Sequence, residues 1–314
     1  MQIRGERMHI PENYLSPETN LVLAAAMVPI WLYSLKKVKE EMPREKLSLL
    51  GVGAALSFLG MMFNIPLPGG TTGHAVGAVL IAILAGPYAA VLAISVALFL
   101  QALFFGDGGI LAFGANCFNM AFLMPFVGFF IYKLSKETLW GAALAGYVAI
   151  NVAAFCAAVE FGIQPLLFTD DAGNALYFPY PLAVAVPAMM LGHLTLFGLC
   201  EAVYTVLLLK CFKVIDPNIQ ANTTFALPYK LLAALIILTP LGLLAEGTAW
   251  GEWSIEEIAQ DIGYMPAGFL NGFDYNVPLP DYTILSMSEP TAYILSAIIG
   301  TSLSILIFRL CSRT

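Results

Sequence analysis

Charge is what this 314-residue chain lacks: 11% of its residues are Asp, Glu, Lys or Arg, against 59% that are hydrophobic. A soluble domain carries roughly a quarter charged residues, so this composition excludes an ordinary globular domain in water. The mean hydropathy of +0.81 places the chain in lipid. Basic residues are the scarcer sign, with a formal charge of -7, which argues against nucleic acid as a partner. Five cysteines, Cys117, Cys156, Cys200, Cys211 and Cys311, form no C-x-x-C pair and are odd in number. That excludes a disulfide framework and leaves them as small apolar fillers. Also missing are H-E-x-x-H, an evident Ser-His or Cys-His pair, and G-x-x-x-x-G-K-[ST]. No enzyme is expected, and the Gly-rich turn 105–109 is no phosphate cradle. Residues 1–18 are polar, so a cleavable signal peptide is not expected there.

What is present is apolar stretches of near membrane-spanning length. They cover about 19–35, 47–65, 74–85, 87–105, 110–132, 138–163, 181–209, 228–245 and 291–308. The third is short, but a single helix over 74–105 would be roughly 48 Å long, too long for a hydrocarbon core of about 30 Å. Gly86-Pro87 supplies the break. Nine crossings put four basic groups on one side: Lys36 to Lys46, Lys133 with Lys136, Lys210 to Lys230, and Arg309 with Arg313. By the positive-inside rule that side is the cytoplasm, with the N-terminus outside and the C-terminus cytoplasmic. The outer segments 64–73, 106–109, 164–180 and 246–290 contain no Lys or Arg, whereas Asp107, Asp170 and Asp171 lie there. Such a surface draws in cations. The expected fold is an all-α integral membrane protein, a bundle of about seven transmembrane helices plus a two-helix C-terminal module. After the polar connector 220–224 the character changes, which divides the chain into 1–219 and 220–314.

Only three histidines occur, and two of them, His9 and His74, fall at the expected outer face. Imidazole suits nickel, cobalt, copper and zinc, although each ring could equally do no more than hydrogen-bond at an interface. If translation begins at Met8, the Met8 amine and the amide and Nδ1 of His9 can close adjoining chelate rings on one metal. His74 would be the fourth nitrogen. Ni(II) prefers four nitrogens in a plane, and the deprotonated amide makes affinity fall with pH. Gln101, Asn116 and Asn119 are amides near or within spans, where an unpaired polar group costs several kcal/mol. They serve either as interhelical hydrogen bonds or, for Asn116 and Asn119, as a shell orienting the imidazoles. His193 and Glu201 share a helix face and are expected to brace the bundle. Glu160 is a weaker candidate ligand. Gly51 and Ala55 admit close helix approach, by a partner or internally.

The string Met8-His9-Ile10-Pro11-Glu12-Asn13-Tyr14-Leu15-Ser16-Pro17 resembles the start of the substrate-binding membrane components of energy-coupling-factor transporters for cobalt and nickel, the CbiM/NikM family. So do Thr71-Thr72-Gly73-His74, the stretch 101–109, Gly114 to Met120, and Gly192-His193 with Glu201. The resemblance spans about 8–210, and the remainder resembles the family's small companion subunit, here fused, without its usual short acidic motif. It implies high-affinity capture and import of Co2+ or Ni2+ across the cytoplasmic membrane, supplying cobalamin biosynthesis or nickel enzymes. It further implies a metal site of Met8, His9 and His74, and partners in a transmembrane coupling component and a cytoplasmic ATPase pair. Seven residues precede Met8, which would block the amine, so Met8 is the expected true start. The alternative reading is a proton-coupled secondary carrier using Glu201 and His193.

Overall fold

The computed structural model describes residues 9–67, 71–215, 226–245, 247–251 and 253–313. Six helices in it are long and apolar enough to cross a bilayer. They are α1 (Pro17–Glu41), α4 (Pro87–Phe105), α5 (Phe113–Leu134), α6 (Leu139–Leu167), α7 (Leu182–Phe212) and α10 (Glu289–Arg313). Between them stand α2 (Arg44–Met61), α3 (Ala78–Ala85), α8 (Pro228–Leu244) and the short helix α9 (Ile255–Ile262). The all-α membrane architecture follows, with one short β-hairpin, Ile65–Leu67 against Thr71–Gly73, in register Ile65 to Gly73.

Local chemistry sets several helix ends. Ser16 caps α1 by accepting from Thr19 N, and Pro17 occupies the first turn, where a missing N–H costs nothing. Thr138 does the same for α6 through Gly141 N. Gly86, at φ +90°, separates α3 from α4, as the Gly-Pro pair predicts. Large apolar side chains remain exposed along the outside of the helices, among them Leu21, Phe130, Leu191 and Ile237, the faces that lipid covers.

The third predicted span takes a different form. Its helix is only eight residues, about 12 Å, and residues 74–77 before it are irregular, with Gly77 left-handed at φ +73°. Together they still bridge the bundle, because Leu84 to Ala89 share a groove with Lys37 to Pro43 at the far end of α1, while His74 lies beside His9 ahead of its near end. Starting α3 only at Ala78 leaves the backbone around His74 outside the helix and free to serve a site.

Three helices contain a wide-turn stretch of five to seven residues, closed by an N–H that bonds five residues back: Gly106 to Gln101, Met124 to Asn119, and Gly198 to His193. Wide turns of this kind concentrate at functional positions, and each here carries a polar residue singled out in the sequence.

Helix α10 lies against α2. A Cβ on Gly51 would sit 2.9 Å from the Ile305 backbone, and one on Gly300 would strike the Phe58 ring. The small residue at position 51 therefore serves internal packing of the C-terminal module. Tyr293 OH completes the junction by donating to Met62 O at 2.8 Å.

Candidate metal centre

The segment ahead of α1 is folded back into the bundle and buried, with Ile10, Tyr14 and Leu15 all under 5% exposed. Backbone and side-chain hydrogen bonds hold it along its length. Asn116 Oδ1 accepts from Ile10 N at 3.0 Å, and Asn116 Nδ2 donates to Ile10 O at 3.1 Å. Gly109 N donates to the same carbonyl at 2.9 Å. The Glu12 carboxylate accepts from Ile110 N at 2.6 Å and from Leu111 N at 3.2 Å. Ser16 N donates to Gln164 Oε1 at 3.0 Å. From the C-terminal module, Asn13 exchanges two hydrogen bonds with the Phe273 backbone, and Tyr14 OH donates to the Trp253 carbonyl.

This anchoring puts His9 against His74, ring centroids 5.1 Å apart and nearly edge to face. Both are buried, at 3% and 8% exposure. They line a cavity of about 90 Å³ that His193, Asn116 and Asn119 also line, so all three histidines of the chain meet one space. His193, expected as a brace, belongs to that wall; its Nδ1 lies 2.9 Å from Met189 O.

The orientation of His9 is set from behind. Its Nδ1 lies 3.0 Å from Asp107 Oδ1, while its Nε2 is buried with no hydrogen-bond partner among the described residues. Buried polar atoms seldom go unpaired. With Nδ1–H donating to the carboxylate, Nε2 carries the lone pair that a cation takes. Burial works to raise the Asp107 carboxyl, but the His9 ring and the hydrogen bonds from His9 and Tyr282 outweigh it and hold the group below the usual carboxylate range. Asp107 is thus not the outward-facing acid its loop position predicts: it is 3% exposed. The turn that carries it bends at Gly106 (φ +71°) and Gly108 (φ +89°), conformations that suit glycine. An acid framed by glycines directly after a span was the signal for it.

The three amides take separate places. Gln101 Nε2 donates to Asp107 Oδ2 at 3.3 Å and to Tyr282 OH at 3.0 Å. Asn116 holds the Ile10 backbone, and Asn119 Nδ2 donates to Glu160 Oε2 at 2.9 Å, leaving Asn119 Oδ1 without a hydrogen-bond partner among the described residues. None of these bonds goes to an imidazole. Glu201, fully buried, accepts from Val76 N at 2.7 Å and Gly77 N at 3.0 Å. It therefore fixes the irregular segment that follows His74. Tyr282, which no motif in the sequence marks, is the residue that sequence reasoning passed over.

Met8 lies outside the described residues. Among those described, no group of three or more His, Cys, Asp or Glu converges to hold a metal. A cation between the two imidazoles would need a further donor of another kind, such as a terminal amine, a backbone group or water.

Comparison with known proteins identifies the family. Residues 9–219 match the family model for the cobalt uptake substrate-specific transmembrane region, CbiM, and residues 226–313 match the PDGLE domain. The probable fused nickel transport protein LarMN of Lactiplantibacillus plantarum is 45% identical, over 96% of this chain and 97% of its own. The fused nickel transport protein NikMN of Rhodobacter capsulatus is 46% identical over 94% of each chain. The crystal structure of a truncated transition metal transporter, 51% identical, covers 67% of this chain and 99% of its own at a TM-score of 0.63. The chain belongs to the CbiM family of cobalt uptake substrate-specific transmembrane proteins.

Proposed function

We propose that this chain captures Ni2+ or Co2+ from the outer face of the cytoplasmic membrane and delivers it inward as the substrate-specific subunit of an energy-coupling-factor ABC transporter. It is a transport subunit and not an enzyme. The observation that carries the reading is the pairing of His9 and His74, 65 residues apart in sequence, as buried edge-to-face rings on one cavity. Two relatives named as fused nickel transport proteins, similar over nearly the whole chain, support it.

In this reading the donors are the imidazoles of His9 and His74 with the amine of Met8. Chelation through Nδ1 of His9 would require that nitrogen to leave Asp107, whereas the orientation in the structure offers Nε2. Residues 1–219 form the metal-binding unit and 220–314 the appended one, a division that the spans of the two family models support. The N-terminus lies outside and the C-terminus in the cytoplasm, in keeping with the basic residues gathered at one end. Energy comes from a transmembrane coupling component and a cytoplasmic ATPase pair, since this chain carries no nucleotide-binding loop.

The test is metal content and transport together. Purified wild-type protein should hold one Ni2+ or Co2+ per chain, and His74→Ala should hold none. Vesicles containing the chain should take up metal only when the coupling component and ATPases are present. Uptake by this chain alone, driven by a pH gradient, would point to a proton-coupled carrier and overturn the proposal.

A further inference from the structure

Between His74 and the start of α3 at Ala78 the chain is irregular, and one face of α7 holds it there. Phe197, Glu201 and Tyr204 stand four and three residues apart, so their side chains leave the helix on the same side. Each meets a different part of residues 73–77. The buried Phe197 ring lies so close to Gly73 that a Cβ there would sit 2.7 Å from it. The Glu201 carboxylate accepts from Val76 N at 2.7 Å and from Gly77 N at 3.0 Å. The Tyr204 ring covers Gly77, where a Cβ would come within 2.8 Å, and its hydroxyl donates to Leu56 O at 2.9 Å. His74 is thus gripped before and after by a single helix face. Resting on the capture reading above, we propose that Glu201 is a positioning residue of the metal site, fixing where the His74 imidazole stands by holding the backbone that follows it.

A carboxylate suits this position. Val76 and Gly77 present two successive N–H groups to it, an arrangement that makes a concave seat for an anion. Gly77, at φ +73°, supplies the left-handed turn that only glycine adopts at little cost. The seat lies directly ahead of the N-terminus of α3, whose dipole favours a negative group. Packing of the bundle alone would be served by an apolar side chain, because an ionisable group inside a membrane bundle is costly. Here both carboxylate oxygens are spent on the two residues that lead from His74 into α3. Glu201 is fully buried, so water does not compete for those bonds. The wide turn His193–Phe197 ends at the first of the three contacts, and a register change of that kind re-aims the helix face that follows it. A shift of residues 76–77 carries the imidazole with it, and losing a group that orients a metal ligand typically weakens binding about ten- to a hundredfold.

The experiment uses the full chain in detergent, with Ni2+ affinity measured by titration calorimetry, Co2+ ligand-field spectra recorded at saturation, and hydrogen exchange followed at Val76 and Gly77. Glu201→Leu removes the acceptor. It is expected to weaken Ni2+ binding about ten- to a hundredfold, to shift the Co2+ bands, and to speed exchange at both amides. Glu201→Gln keeps one carbonyl oxygen for the two amides and is expected to change all three in the same direction by less. Should Glu201→Leu fail to fold, Glu201→Gln carries the test alone. Wild-type affinity in the folded variant would overturn the proposal. So would weaker binding with unchanged Co2+ bands, which would make Glu201 a support of the bundle that does not reach the metal. In both cases wild-type binding and its loss in His74→Ala leave the capture reading standing; absence of metal binding by the wild type sinks both.

Discussion

Replacing Asn116 by Leu isolates the hold that the bundle has on its folded-in N-terminal segment. The side chain is 4% exposed and makes two hydrogen bonds to one residue, accepting from Ile10 N and donating to Ile10 O. Leucine is close in volume and removes both. The Ile10 carbonyl keeps its bond from Gly109 N at 2.9 Å, so the cost falls mainly on the Ile10 N–H. A buried donor stripped of its partner costs about 1–3 kcal/mol. Because His9 is the adjoining residue, docking of the segment and placement of the ring are one equilibrium, and that cost appears as lost affinity. At 1.4 kcal/mol per decade it amounts to about five- to a hundredfold weaker Ni2+ binding. Titration calorimetry reads the affinity, and hydrogen exchange at the Ile10 amide reads the docking. Wild-type affinity together with unchanged exchange at Ile10 would show that the segment is held by other means and would refute the reasoning.

Alanine at His9 or His74 should abolish high-affinity metal binding in equilibrium dialysis, while Cys117→Ala, which empties a buried apolar position away from the two rings, should change it little. Gly109→Ala places a Cβ 2.8 Å from the Glu12 backbone; overpacking of this kind costs about 1–3 kcal/mol, seen as a lowered melting temperature and faster exchange over residues 9–16. Metal affinity should fall as the pH is lowered, because ligand nitrogens must shed their protons to bind, and proton release on binding, followed in weakly buffered solution, checks it. A chain beginning at Met8 should bind Ni2+ more tightly than one retaining residues 1–7, if the Met8 amine is a ligand; equal affinities of the two purified forms would remove Met8 from the site.

The membrane class was plain in the sequence because a bilayer imposes long apolar runs that composition cannot disguise. The break at Gly86-Pro87 was equally plain, since its cause is local. His9 and His74 stood out because histidine is rare in this chain and both sit beside recognisable strings. That they would share one site was expected from the resemblance and not from spacing, since their meeting depends on the irregular path of residues 74–77 and on a helix that starts only at Ala78. The amides illustrate the same limit. That Gln101, Asn116 and Asn119 needed partners followed from the cost of burying them; which partners they took was a matter of tertiary packing. Asp107 was misread because hydrophobic patterning treats any acid between two spans as an outer charge. Only the positive φ values of Gly106 and Gly108 turn it inward.

The same bonds that make the site also join the parts of the fold. His9 comes from the segment before α1, Asp107 from the turn after α4, and Tyr282 from the segment between α9 and α10 of the C-terminal module, and all three are buried. Asn13 and Tyr14 add bonds from that segment to Phe273 and Trp253. The two histidines are therefore covered partly by residues of the appended module, and the N-terminal segment cannot loosen without disturbing bonds to it. If the two histidines hold the metal, its occupancy and the seating of residues 253–288 are coupled in both directions, since any free energy by which seating favours binding is returned by binding to seating. Bound Ni2+ should accordingly slow hydrogen exchange at Phe273, whose N–H donates to Asn13 Oδ1 at 2.9 Å, even though no metal ligand lies in that segment. Exchange at Phe273 that is indifferent to metal would show that the module only covers the site and takes no part in holding it.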